Sequence, residues 1–139
     1  MMRHTTSSRG RSALALIAGF VVTAVLSIGT DAVMHATGVF PPWGEPMADN
    51  LFVLATLYRV IATVLGGYVT AALAPDRTMG HVLVLGLIGT IAAVAGLIAT
   101  WNAGPEFGPR WYPALLVITA LPCVWLGGVL RTRDRGVAA

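Results

Sequence analysis

Four long apolar stretches constrain this chain more than any other feature. They cover residues 12–36, 50–74, 80–101 and 111–130. Each approaches the roughly 20 residues that a helix needs to cross a bilayer. An uncharged apolar run of 18 or more residues is a strong signal of such a span, weaker in the second stretch because Arg59 interrupts it. The sequence therefore predicts an all-α protein, a bundle of four transmembrane helices.

The punctuation between the stretches agrees. Phe40-Pro41-Pro42-Trp43-Gly44-Glu45-Pro46 cannot be helical and joins the first two spans. Asp49 stands where a cap of the second span belongs. Pro75-Asp76-Arg77 forms a short turn before the third, and 102–110, with two Gly-Pro-type breaks, precedes the fourth. No polar linker is long enough to separate two domains. The expected organisation is one membrane unit over 12–130 between basic tails at 1–11 and 131–139. A secretory signal is the rival reading of the first stretch, but its apolar length exceeds the usual one and no small-residue cleavage site follows.

Composition excludes a water-facing surface. Of 139 residues, 56% are hydrophobic and 11% charged, against about 25% charged in a soluble domain. The net charge of +3 comes from nine arginines without a lysine. These lie at helix ends and form no single stripe, so nucleic-acid binding is not expected. Arg3, Arg9, Arg11, Arg77, Arg131, Arg133 and Arg135 fall on one side of the predicted membrane; only Arg110 lies in a loop on the other. The positive-inside rule then puts both termini and the 75–79 turn in the cytoplasm. Trp43, Trp101, Trp111 and Tyr112 gather at the opposite boundary, as an aromatic belt does. Cys123 is single, and no zinc or haem cysteine pattern, phosphate loop or nucleophilic triad is present, so neither a cofactor nor an enzyme is expected.

The informative polar residues lie inside the spans. Arg59 interrupts the second, and a guanidinium there is costly unless something meets it. Asp31 is the carboxylate in the body of another span. Counted from the outer helix ends, Asp31 lies ~8 Å deep and Arg59 ~13 Å, a gap that a snorkelling arginine closes. Thr23, Ser27, Asp31 and His35 recur every four residues and share one face, with Thr30 beside them. Lipid does not solvate such a face, so it is expected to point into the bundle. Tyr58, Arg59 and Thr63 are its counterparts on the second span. The candidate ligand- or ion-binding residues are thus Asp31, Arg59, His35, Ser27, Tyr58 and Thr63. His35, with Glu45 near it, has the make-up of a proton-coupled mouth and equally of a wet helix end; Asp31, His35 and Glu45 are too loosely spaced for a metal site.

Glycines complete the pattern. Leu65-Gly66-Gly67 and Leu126-Gly127-Gly128 occupy matching places in the second and fourth spans, a weak internal repeat or a shared packing device. Gly86, Gly89 and Gly96 with Ala92, Ala93 and Ala99 leave the third span little bulk, which points to it as the most tightly packed helix or as a subunit interface. Pro122 removes a backbone bond to Ile118 and is expected to bend the fourth span, with Thr119 at hand for the freed carbonyl.

Asp31-x-x-x-His35, the 41–46 loop, Tyr58-Arg59, Ala74-Pro75-Asp76-Arg77, Trp101-Asn102 and Trp111-Tyr112-Pro113 together resemble a group of small bacterial inner-membrane proteins with no established activity. The resemblance covers nearly the whole chain and implies four membrane helices. Small multidrug carriers have a similar length but place a glutamate deep in their first helix, near the level of Thr23 and Ser27 here. The Gly-rich, Asn-bearing signature of dual-topology fluoride channels is not evident. Two functions stay open. One is transport of a small polar solute, an ion or a proton through a polar site between the first two helices. The other is a non-enzymatic structural or accessory role in which the Asp-Arg pair is a static clamp. The partners expected are the lipid bilayer and further copies of the chain.

Overall fold

The computed structural model describes residues 7–138; Arg3, counted in the charge argument, lies outside them. The chain is all-α: α1 (Ser8–Ala36), α2 (Asp49–Leu73), α3 (Thr78–Thr100) and α4 (Trp111–Val137), with one 3-10 turn, Pro105–Phe107, between α3 and α4. All four helices are long and apolar enough to cross a membrane. At most 33% of any span's most apolar window is buried inside the protein. The remaining apolar surface, including Leu14, Ile17, Val25, Ile61, Ile91 and Ile98, faces outward. A band of this kind needs lipid around it.

Two ends lie beyond the expected limits. α1 starts at Ser8 because the Ser7 side chain accepts from the Arg9 amide and caps it. α4 does not give way to a tail after Leu130. Its basic last turns remain helical to Val137, tied to α2 by the Tyr68 hydroxyl on Asp134 (2.8 Å) and by Arg135 on the Ala72 carbonyl (3.3 Å). Asp49 is the first residue of α2; Ala48 holds the cap position and no side chain bonds there. α4 runs on through Pro122. The Thr119 hydroxyl bonds the Leu115 and Leu116 carbonyls, not that of Ile118.

Around the bundle the packed neighbours run α1, α2, α4, α3. Adjacent glycines in α2 serve different partners. A Cβ on Gly66 would meet the Gly19 carbonyl of α1 at 2.7 Å, and one on Gly67 would collide with the Val124 carbonyl of α4. Successive residues on a helix point about 100° apart, so one dipeptide opens two interfaces. Gly127 and Gly128 repeat the device in α4, against Val64 of α2 and Val82 of α3. Thr70 donates to the Ala15 carbonyl (3.0 Å), and Thr23 reaches that of Ala62 (3.4 Å), sewing α1 to α2. These contacts crowd the half of the bundle nearer the termini, with Ala71, Val82, Leu85 and Val124 at its core.

Within the chain, α3 is not the most tightly packed helix. α2 is the central helix, with Phe52, Ala55, Thr56, Ala62, Gly66, Gly67, Thr70 and Ala71 buried; α3 buries only Val82, Leu85 and Gly86. Small residues permit close approach but do not create a neighbour. No atom lies within 4 Å of a Cβ placed on Gly89 or Gly96. α3 touches α1 only sparsely, which leaves a seam between those two helices.

Candidate functional site

The polar stripe of α1 faces α2 and the 37–48 loop. Asp31 is its centre. One carboxylate oxygen accepts from the Tyr58 hydroxyl and the other from the Arg59 guanidinium. Asp31 lies five residues before the end of α1 and Arg59 ten after the start of α2, about 8 and 15 Å from the same end of the bundle. The length of arginine bridges the difference. Tyr58 precedes Arg59 in sequence, so the acid sits across the edge between their two directions and takes a donor from each. This is the one ion pair among the described residues. It is not sealed: the Arg59 side chain is 29% exposed and that of Asp31 17%. The Arg59 Nε is buried without a partner.

One turn outward, His35 Nδ1 lies 2.7 Å from the Pro41 carbonyl. A carbonyl only accepts, so Nδ1 carries the proton in this bond, and in the neutral ring Nε2 keeps its lone pair. The ring stacks on Trp43 at 3.6 Å and meets the edge of Phe40 at 5.4 Å. These contacts fold the Pro-rich loop back over the helix end. Phe40, 3% exposed, anchors it.

The pair forms the floor of an open vestibule of about 340 Å³. Its walls bring together His35 from α1, Trp43 and Glu45 from the first loop, Phe52 and Ala55 from α2, Glu106 and Phe107 from the second loop, and Tyr112 from α4. Gly108 lets the second loop lie across Phe52: its φ is +85°, and a Cβ there would run into the ring. Tyr112 packs on the same ring at 5.0 Å.

Ser27 and Thr63 do not join the pair. They line a second cavity of about 290 Å³ deeper in the bundle, walled by residues of all four helices and bordering the α1–α3 seam. The Thr63 hydroxyl bonds the Arg59 carbonyl at 2.7 Å. Thr30 bonds the Leu26 carbonyl of its own helix and takes no part. Thus Asp31, Arg59, Tyr58 and His35 come together as one site, and Ser27 and Thr63 sit behind it. Among the described residues no three metal-ligating side chains gather. Glu106 and Phe107 were not singled out from sequence, and Tyr112 only as a member of the aromatic belt. The only other hint was that the 37–48 and 101–110 loops both mix Pro, Gly, Glu and an aromatic.

Chemically, the vestibule offers a carboxylate with two donors already on it, an imidazole with a free lone pair, and two further carboxylates. This set can bind a cation or a polar solute and can take up a proton at Asp31 or His35. The chain matches no protein-family model, no curated protein and no solved structure.

Proposed function

We propose that the chain is a multi-pass protein of the bacterial cytoplasmic membrane that carries a small polar solute, an ion or a proton through the site between α1 and α2. In this reading both termini are cytoplasmic and the vestibule opens outward. The arginine distribution supports that orientation: Arg9, Arg11, Arg77, Arg131, Arg133 and Arg135 end up at the end opposite the vestibule.

The observation that carries the reading is the exposure of the Asp31–Arg59 pair to an open cavity. A pair that only fixes helix register needs no water-sized space beside it. One with space beside it can exchange its partner. Protonation of Asp31 weakens its hold on Arg59, and the vestibule joins the acid to the outer surface.

A specific observation favours the clamp as the second reading. Tyr58 and Arg59 both engage Asp31, which leaves the acid well satisfied without any solute. Proteoliposomes separate the two. Under an imposed potassium diffusion potential, an internal pH dye reads proton movement. Proton transport predicts a flux in the native protein that Asp31→Asn abolishes. A flux equal to that of protein-free vesicles removes the proton as cargo and favours the clamp.

A further inference from the structure

Arg59 borders both the vestibule and the deeper cavity, and also a third space of about 200 Å³ beside α3 and α4. The first two differ in character. The vestibule carries Asp31, Glu45 and Glu106 against one permanent cation, Arg59. Arg59 is committed to Asp31, and neither Glu45 nor Glu106 has an ion pair among the described residues. The uncompensated charge there is negative. The deeper cavity has no carboxylate, and Phe20, Ile28, Val60, Leu85, Leu116 and Val124 make up much of its wall. Its Thr23, Thr63 and Thr119 hydroxyls are bonded to backbone carbonyls. Ser27, only 7% exposed, makes none of these bonds. A hydrated ion gains nothing by entering such a space, whereas the vestibule sets its carboxylates among aromatic walls that suit a cation with apolar substituents.

We propose that the two cavities form one site for a cationic amphiphile, with its apolar body in the deeper cavity and its cationic head on Asp31. This rests on reading the vestibule as a binding site and does not require proton movement. Arg59 then plays the part of the head group: it holds the carboxylate that an ammonium would take. When the ammonium arrives, Tyr58 keeps its oxygen of Asp31 and the guanidinium turns toward the third space. The amphiphile enters sideways. The seam between α1 and α3 borders the cavity, and at Gly89 no atom closes it within 4 Å of a Cβ position.

The test is equilibrium binding of radiolabelled dodecyltrimethylammonium to the full chain in lipid nanodiscs. Dodecanoate and dodecanol serve as chain-matched anionic and neutral competitors. The expected result is saturable ammonium binding at least tenfold tighter than that of either competitor. Gly89→Phe, which fills the seam where nothing packs, lowers the affinity at least tenfold while thermal unfolding stays unchanged. Glu106→Gln, in an exposed loop, lowers it severalfold. Absent saturable binding, dodecanoate binding as tight as the ammonium, or native affinity in Gly89→Phe each overturns the proposal. Ammonium binding without proton flux supports the site and counts only against transport.

Discussion

Arg59 is the residue on which the most chemistry converges. Replacing it with leucine removes the cation from Asp31 and leaves a carboxylate held by Tyr58 alone. Breaking a fully buried pair costs about 3–5 kcal/mol. Partial exposure of both partners lowers the expected cost of Arg59→Leu to about 2–3 kcal/mol on that scale. Arg110 lies in an exposed loop, where it bonds the Asn102 side chain and covers Trp101; its leucine variant is expected to cost under ~1 kcal/mol. Thermal unfolding of both in detergent checks the contrast, and equal stability would mean that the pair does not hold α1 to α2. Tyr58→Phe removes one hydrogen bond from the acid and is expected to cost about 1 kcal/mol. A melting curve identical to the native one would place that bond outside the native state.

At the scale of the helices, the glycines divide into two kinds that sequence does not distinguish. Gly67 faces the Val124 carbonyl and has no room for a methyl group; Gly96 faces open space. Gly67→Ala is expected to cost about 1–3 kcal/mol through overpacking. Gly96→Ala is expected to be neutral or to gain up to ~1 kcal/mol from helix propensity. Parallel unfolding curves test the pair, and a tolerant Gly67→Ala would refute the α2–α4 packing described here.

The same division marks what was legible in the sequence. The spans were readable because hydrocarbon thickness sets the length of an apolar run directly. So was the Thr23-Ser27-Asp31-His35 face, because a four-residue repeat is a local property of a helix. The true ends of α1 and α4 were not, since Ser7 caps the one and a distant Tyr68–Asp134 bond steadies the other. The central position of α2 was hidden too. Glycine content states what a helix permits, whereas the neighbour it meets depends on the whole bundle. Glu106 and Tyr112 reach the vestibule through a loop whose path depends on Gly108 and Phe52, far apart in sequence.

The whole molecule has a closed half and an open half. Glycine contacts and Thr70 knit the half near the termini, while the half near the loops holds the vestibule and most of the aromatic residues. Reporter fusions at the two termini are expected to report the cytoplasmic side, and one inserted after Gly104 the outer side. Termini on opposite sides would remove the four-pass threading on which every depth here depends.

The account stands on water reaching the Asp31–Arg59 pair. Ala55 lines the vestibule beside the pair and is 3% exposed; Ala62, two turns deeper on α2, is 2% exposed and borders neither cavity. In a Cys123→Ala background, a membrane-impermeant methanethiosulfonate reagent added outside intact cells is predicted to modify cysteine at 55 and to leave cysteine at 62 untouched. An unmodified cysteine at 55, in a protein that folds normally, would contradict the account and leave the pair a dry clamp.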